Sequence, residues 1–244
     1  MGPREFYESI ESTQERAIEL ARAGAPEGTR VVAGSQHRGR GRADHRWWSP
    51  PGAGVYLSLV LGAPPAPRTL LSLAVGTELR ATLRSNTGLA AWIKWPNDLL
   101  IVDGSSPSRK LSGILIDEVS SPSLGRAEVV GIGVNVRSAT ADVPTELRDR
   151  ITSIEDWVRP PPSLEQVEGW TVDAATRAGA RLRSVDESRK LLAECRSSLY
   201  GVGRPVRVDG VAVGRLETVG EEGELVVVSN GERVAIRVGD AEVQ

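Results

Sequence analysis

The segment from Arg38 to Arg46 places four arginines and two glycines within nine positions. Guanidinium groups bind phosphate and carboxylate, and glycine lets the backbone come close to a ligand. Two tryptophans, Trp47 and Trp48, follow directly and offer surfaces on which nucleobases stack. Taken alone, this segment fits an anion-binding loop, a nucleic-acid surface or a solvated loop equally well.

A second candidate segment runs from Lys94 to Asp98, Lys-Trp-Pro-Asn-Asp, between two apolar stretches. Proline followed by Asn and Asp is ordinary turn chemistry, so a plain connection between strands is one interpretation. The other places Asn97 and Asp98 at the edge of a sheet, where their oxygens reach a nucleotide or its Mg²⁺.

Two further segments carry glycine inside apolar strands. Lys110 opens a strand that contains Gly113, and Gly131 and Gly133 precede Asn135 in another. Glycine weakens a strand unless a ligand or another chain segment packs closely against it. Each segment alone is also explained by core packing or by a solvated strand end.

The surrounding pattern predicts an α+β fold, with a mainly antiparallel or mixed sheet that carries helices. Apolar periodicity predicts helices over 12–23, 70–83, 163–182 and 187–199, and strands over 30–33, 55–61, 92–95, 99–102, 111–119 and 127–136. After Tyr200, short strands over 206–208, 211–216, 225–228 and 234–238 are separated by turn residues, with a hairpin signal at Asn230-Gly231. We therefore predict a catalytic domain over 1–198 and a small β-barrel over 199–244.

Composition narrows the class of protein. There are 32 acidic and 30 basic residues, so the net charge of -2 gives no reason to expect binding to nucleic acid or membrane. One cysteine excludes an intrachain disulfide, and two histidines leave little room for a histidine-based metal centre. The N-terminus lacks the apolar run of a signal peptide, and no stretch is long enough to span a membrane, so a cytoplasmic protein is expected.

The order of the four segments resembles the biotin protein ligase family. That family has a Gly-Arg-Gly-Arg loop running into Trp and Ser-Pro, then Lys-Trp-Pro-Asn-Asp, Lys-x-x-Gly-Ile-Leu and Gly-x-Gly-x-Asn. All four occur here in that order, as 39–50, 94–98, 110–115 and 131–135. The Ser12-Thr13 pair also matches, although the family usually has Asn where this chain has Gln14. The resemblance covers about residues 9–240 and implies a class II synthetase-like catalytic domain followed by an SH3-like barrel.

The resemblance implies specific roles. The proposed biotin contacts are Ser12, Thr13, Gln14, Gln36, Gly39, Arg40, Gly41, Arg42, Lys110, Gly113 and Leu115. The proposed ATP contacts are Arg42, Trp47, Asn97, Asp98, Lys110, Gly133 and Asn135. Lys110, Arg40 and Arg42 would be catalytic, because joining a carboxylate to ATP brings two anions together. No metal site built by the protein alone is expected, and Mg²⁺ would accompany ATP.

The implied reaction is ATP-dependent formation of biotinyl-5'-adenylate, followed by transfer of biotin to a lysine of a biotin carboxyl carrier protein. The protein is expected to be a monomer or weak homodimer. The alternative is a lipoate or octanoyl ligase or transferase of similar fold. Octanoyl transferases use a cysteine, and Cys195 stands apart from every motif. A DNA-binding repressor is not expected, because the first motif at Ser12 leaves no room ahead of it for a helix-turn-helix.

Two departures from the family pattern affect the nucleotide side. The family often continues its arginine loop with Gly-Arg where this chain has Asp44 and His45. Relatives also tend to have a basic residue near the end of the last strand, whereas this sequence ends at Gln244. Like charges and glycines predict that the arginine loop, residues 37–46, is mobile alone and ordered by ligand.

Overall fold

The computed structural model describes residues 2–43, 45–104, 107–138 and 143–244, so Asp44 lies outside the described residues. The helices are α1 Thr13–Arg22, α2 Arg68–Thr87, α3 Leu164–Arg181 and α4 Val185–Ser197. The first sheet contains β1 Arg4–Tyr7, β2 Arg30–Ala33, β3 Gly54–Gly62, β4 Trp92–Lys94, β5 Asp98–Ile101, β6 Arg109–Ser121 and β7 Gly125–Asn135. The second contains β8 Pro205–Val208, β9 Val211–Val219, β10 Leu225–Ser229, β11 Glu232–Ile236 and β12 Ala241–Val243.

The seven strands of the first sheet are ordered β1-β2-β3-β7-β6-β5-β4. Only β1 and β2 pair in parallel, and every other neighbouring pair is antiparallel. The predicted mixed, mainly antiparallel sheet with helices is therefore confirmed. Sequence periodicity missed β1 and β12, which are only four and three residues long.

One face of this sheet is fully covered. Side chains alternate between the faces of a strand, so every second residue of β3, β6 and β7 points the same way. Leu57, Leu59, Ile114 and Ile132 lie on the face that packs into the main core with α2 and α3. This layer anchors the strands on which the site is built.

The opposite face is covered over only part of its area. There α1 packs through Ala17 and Ala21 onto Val31, Val60 and Val129. The register continues that face with Ser58, Gly131 and Leu115 in one row, and with Tyr56, Gly133 and Gly113 in the next. Four of these six residues are glycine or serine, and Tyr56 is the one aromatic residue among them. This half of the face therefore remains open as the floor of a cavity.

The C-terminal segment forms a five-stranded antiparallel sheet ordered β11-β10-β9-β8-β12. The turn between β10 and β11 has φ of 51° at Asn230 and 83° at Gly231, as the Asn-Gly hairpin signal predicts. This sheet docks firmly on the first part of the chain. The buried Trp95 indole donates to the carbonyl oxygen of Gly223 at 2.9 Å, and Arg196 Nε donates to that of Val219 at 2.7 Å.

Among the described helices, none combines the length and the apolar composition that crossing a membrane requires.

Candidate active site

A cavity of about 660 Å³ lies over the open half of the sheet face. Its walls come from the N-terminus of α1, the arginine loop, the turn between β4 and β5, and the end of the C-terminal sheet. The predicted site residues that line it are Thr13, Gln14, Gln36, Arg40, Gly41, Arg42, Trp47, Asn97, Asp98, Lys110, Gly113, Leu115 and Gly133. Motifs far apart in sequence thus share one cavity.

The end of the cavity next to α1 is built from neutral hydrogen-bonding groups. Gln36 Oε1 accepts from the backbone N–H of Thr13 at 2.9 Å and lies 3.1 Å from its hydroxyl. The Thr13 hydroxyl is also 2.9 Å from Ser58 Oγ, which donates to Gln14 Oε1 at 2.9 Å. Such a cluster of fixed donors and acceptors suits a polar, uncharged ring system.

The other end of the cavity is charged. Lys110 Nζ lies 2.7 Å from Asp98 Oδ1, and the Asp98 side chain is only 9% exposed. Arg42 Nη1 contacts Asn97 Oδ1 and the carbonyl oxygen of Gly239, each at 3.4 Å. Lys110 and Arg42 thus contact the neighbouring residues Asp98 and Asn97, and both line this end of the cavity, which suits an anionic group.

The C-terminal sheet closes this charged end. Besides the contact of Arg42 with Gly239, Lys94 Nζ lies 3.5 Å from Asp240 Oδ1. Glu242 and Val243 of β12 also line the cavity. Sequence reasoning did not identify these residues, because only the docking of the two sheets brings them to the site.

Trp47 lies flat over the glycine pair at the middle of the floor. A Cβ on Gly133 would overlap its indole, and one on Gly113 would come within 2.9 Å of Cζ3. Lys110 Nζ lies 5.2 Å from the centre of the ring, within cation–π range. Buried Trp47 Nε1 has no hydrogen-bond partner among the described residues. The two strand glycines are thus required by close packing of an aromatic ring.

Arg40 lies beside the neutral end of the cavity, the end at which a biotin contact is predicted, and apart from the catalytic role predicted for it with Lys110 and Arg42. Its guanidinium contacts Asp117 Oδ2 at 3.2 Å, beside the neutral end of the cavity, rather than joining Lys110 and Arg42. Asp117 lies four residues beyond Gly113 on β6, which corresponds to about 13 Å along a strand. The Asp117 carboxylate is the reason, since it offers Arg40 a fixed counter-charge. Sequence reasoning missed Asp117, although the alternation 113, 115, 117 places it on the cavity face.

Three predicted ligand contacts do not line the cavity, and the structure shows a structural contact for each of them. Ser12 caps α1, its hydroxyl accepting from the N–H of Glu15 at 3.5 Å. Gly39 leaves room for the Trp47 carbonyl, which would lie 2.5 Å from an added Cβ. Asn135 Nδ2 donates to the carbonyl oxygens of Lys110 and Thr152 at 3.3 and 3.0 Å.

Asn135 borders a second cavity of about 390 Å³, which adjoins the first at Tyr56 and Ile151. Burial raises the pKa of the Tyr56 phenol, whose hydroxyl donates to the carbonyl of Pro50 at 2.9 Å. Arg137 also borders this second cavity, and its buried Nη1 has no hydrogen-bond partner among the described residues. Through its two hydrogen bonds, Asn135 connects the backbone of Lys110 in the first cavity to the backbone of Thr152 in the second.

Within the described part of the chain, the cavity is accompanied neither by a protein-held metal cluster nor by a reactive thiol. Among the described residues, no three His, Cys, Asp or Glu side chains come together as a metal-binding group. Cys195 is fully buried in α4 behind the sheet, and burial raises the pKa of its thiol to about 11. At neutral pH the thiol therefore stays protonated, which removes its nucleophilic form.

Residues 6–135 match the model of the biotin/lipoate A/B protein ligase family. This match covers more than half of the chain and includes all four motifs. The chain belongs to that family.

Curated relatives in this family include ligases named for biotin. The bifunctional ligase/repressor BirA of Bacillus spizizenii is 38% identical over 178 residues, which are 72% of this chain and 50% of that protein. The biotin--[acetyl-CoA-carboxylase] ligase of Paracoccus denitrificans is 33% identical over 167 residues, 67% of this chain and 63% of that protein. This chain therefore spans half to under two thirds of these two relatives.

Solved structures of the family share the fold over almost the whole chain. A biotin protein ligase from Aquifex aeolicus in complex with biotin and ATP superimposes with a TM-score of 0.83 at 24% identity, covering 100% of this chain and 99% of that one. A biotin acetyl coenzyme A carboxylase synthetase from Helicobacter pylori has a TM-score of 0.67 at 19% identity, with 96% and 100% covered. The arrangement of both sheets is therefore that of family members.

Proposed function

We propose that this protein activates biotin with ATP to biotinyl-5'-adenylate and then transfers biotin to a lysine of a biotin carboxyl carrier protein. The observation that carries the proposal is the division of one cavity into a neutral end around Thr13 and Gln36 and a charged end around Lys110 and Arg42. An acid with a polar uncharged ring and a nucleotide would together occupy such a cavity. The names of the relatives and neighbours support biotin as that acid.

In the first step a carboxylate oxygen of biotin attacks the α-phosphorus of ATP, and the bond from that phosphorus to the bridging oxygen breaks to release pyrophosphate. Both reactants are anions, and charge builds on the phosphoryl oxygens. Lys110 and Arg42 provide fixed positive charge where the two anions meet, and this lowers the barrier.

In the second step the amine of the carrier lysine attacks the acyl carbon, AMP leaves with the bonding electron pair, and the nitrogen loses a proton. The intermediate is a mixed anhydride that water would hydrolyse. We propose that the arginine loop closes over it, with Trp47 packed on the glycine floor.

We propose that Mg²⁺ arrives with ATP as part of the substrate. Magnesium in nucleotide sites is commonly held by one or two carboxylates together with phosphates. The carboxylate of Asp98 fits that role, since its Oδ1 is buried beside Lys110 without a well-formed hydrogen bond among the described residues.

We propose that residues 1–198 form the catalytic domain and 199–244 an SH3-like barrel, because α4 ends at Ser197 and the next strand begins at Pro205. The contacts of Gly239 and Asp240 with Arg42 and Lys94 support a role for the barrel in closing the nucleotide end. Its exposed face would receive the carrier.

The alternative is a lipoate or octanoyl ligase or transferase, since the family includes both substrate classes. The buried, protonated Cys195 gives no support to a cysteine-based transfer. We further propose a cytoplasmic monomer or weak homodimer in which these 244 residues, with a net charge of -2, do not bind DNA sequence-specifically.

The direct test is transfer to a carrier. The purified chain would be mixed with a biotin carboxyl carrier domain, biotin and Mg·ATP, and the carrier analysed by mass spectrometry. We expect addition of one biotinyl group, and none on a carrier whose acceptor lysine is replaced by arginine. An unmodified carrier, or preferential addition of a lipoyl group, would refute the proposal.

A further inference from the structure

Asp117 occupies a junction that links the neutral end of the cavity to the arginine loop. A single oxygen, Oδ2, accepts from Gln14 Nε2 at 3.0 Å and from Arg40 Nη1 at 3.2 Å. The Asp117 side chain is 28% exposed and that of Arg40 is 36% exposed. The contact is therefore partly shielded from solvent, and its Coulombic stabilisation is smaller than for a buried pair.

The Asp117 carboxylate determines which group donates and which accepts in the hydrogen bonds that run from it through Gln14 to Ser58. A carboxylate and a backbone carbonyl only accept, so Gln14 must turn its amide nitrogen to Asp117 and to the carbonyl oxygen of Val129, 2.9 Å away. Its Oε1 then faces Ser58, whose hydroxyl proton is donated to it.

The Ser58 hydroxyl in turn restricts the hydrogen bonds of Thr13. Because the Ser58 proton is used on Gln14, Ser58 Oγ only accepts, and the single Thr13 hydroxyl proton is offered to Ser58 Oγ at 2.9 Å and to Gln36 Oε1 at 3.1 Å. Thr13 Oγ1 keeps acceptor capacity toward the cavity in either case, and Gln36 Oε1 keeps it when the Thr13 proton goes to Ser58. This end of the cavity accordingly selects a ligand that offers N–H donors.

The arginine loop is attached to this network at two points. Gln36, just before the loop, is bound by Thr13, and Arg40, within it, is bound by Asp117. A ligand that orders Thr13 and Gln36 therefore acts on the same network that holds the loop.

We propose that Asp117 is a positioning residue that acts through Arg40, holding the arginine loop across the end of the cavity that recognises ligand N–H groups. It contacts neither reacting group itself. The expected change in KM rests on the proposed function. The effect of Asp117 on the arginine loop does not depend on which acid the enzyme activates.

The test is a double-mutant cycle with Asp117→Asn, Arg40→Gln and the double variant. Kinetics would be measured as biotin-dependent ATP–pyrophosphate exchange. Loss of a charge-assisted hydrogen bond should raise the KM for biotin roughly tenfold in Asp117→Asn, with kcat changed by no more than about threefold. In the Arg40→Gln background the same substitution should add less than about twofold, because the Arg40 contact is already gone and an asparagine at this position still offers an amide oxygen to Gln14 Nε2. Asp117→Glu should restore most of the wild-type KM.

A second readout is amide hydrogen exchange over residues 37–43 without ligand. Exchange should be several times faster in Asp117→Asn than in the wild type, and no faster in the double variant than in Arg40→Gln. Glu118→Gln is the matched control, since Glu118 is the next residue on β6, points to the other face and pairs with Arg126 at 3.2 Å.

An Asp117→Asn variant with unchanged loop exchange, or with an undiminished effect in the Arg40→Gln background, would overturn the inference. Absence of biotin-dependent ATP–pyrophosphate exchange in the wild type would instead refute the proposed function. In that case amide hydrogen exchange over the arginine loop alone decides the role of Asp117.

Discussion

Lys110 and Asp98 form the ion pair at the charged end of the cavity, with Nζ 2.7 Å from Oδ1. The alignment of this contact leaves buried Oδ1 without a well-formed hydrogen bond. A buried carboxylate that loses its cation is strongly destabilised, so the pair holds both groups in place before substrate arrives. In the proposed reaction, a phosphate that draws Lys110 away would leave Asp98 available to Mg²⁺.

Replacing Lys110 should lower catalysis strongly, and it should also lower stability because the buried Asp98 carboxylate loses its cation. In Lys110→Ala we expect biotin-dependent ATP–pyrophosphate exchange to fall by about 10²–10³-fold, the effect typical of a main charge-stabilising group. Circular dichroism would show whether the fold is retained. Lys190→Ala is the control, because Lys190 forms an exposed pair with Glu187 at 2.7 Å. A near-normal rate in Lys110→Ala would reduce Lys110 to a structural partner of Asp98.

The arginine loop should become protected when both substrates bind. Its four arginines repel one another, and its glycines raise the backbone entropy that ordering must overcome. Anionic substrates remove the repulsion, so amide exchange over residues 37–46 should slow with biotin plus Mg·ATP, and less with biotin alone. Equal exchange with and without substrates would show that the loop is not a closing element.

Cys195 should be dispensable for activity. Since burial raises the pKa of its thiol to about 11, thiol-specific reagents at pH 7.5 should modify the folded protein far more slowly than the unfolded chain. Cys195→Ala should keep its rate within about twofold and lose roughly 1 kcal/mol of stability from lost packing. Abolished acyl transfer in this variant would favour the cysteine-dependent alternative.

Glu128 should make stability depend on pH. Burial, with a smaller contribution from Glu118, raises the pKa of its carboxyl to about 7 from 4.5, and its Oε2 has no hydrogen-bond partner among the described residues. The folded state then holds a proton that the unfolded state releases near pH 4.5. The free energy of unfolding should therefore decrease as pH rises from 4.5 to 7, by about 3 kcal/mol at most.

Glu128→Gln removes that titration. Denaturant unfolding at pH 5, 6, 7 and 8 should find the variant more stable than the wild type at pH 8, with the difference shrinking toward pH 5. Parallel profiles for the two proteins would mean that Glu128 is not titrating in this range.

Local sequence signals predicted most elements of the fold. The strand over 30–33 has the predicted bounds, and the Asn230-Gly231 hairpin occurs where the turn chemistry indicates. The strand β1 escaped prediction because its four residues are stabilised by parallel pairing with β2, a long-range contact that local periodicity does not reveal.

The site was less accessible to sequence reasoning than the fold. Motifs identified Lys110, Asp98 and Arg42, which the structure brings together. They did not predict that Arg40 contacts Asp117. In sequence, a strand carboxylate that binds an arginine looks the same as one that faces solvent, and only the strand register and the position of the loop distinguish the two. The contribution of Gly239 to the site likewise depends on how the two sheets pack.

Activation of biotin in this cavity is tested most directly by ATP–pyrophosphate exchange. The purified chain would be assayed with Mg·ATP and labelled pyrophosphate, in parallel with biotin, lipoate and octanoate at equal concentrations. We predict exchange with biotin, and none above background with lipoate or octanoate, since neither offers N–H donors to Thr13 and Gln36. Exchange that is equal or faster with lipoate or octanoate would contradict the account and assign the protein to the other substrate class of its family.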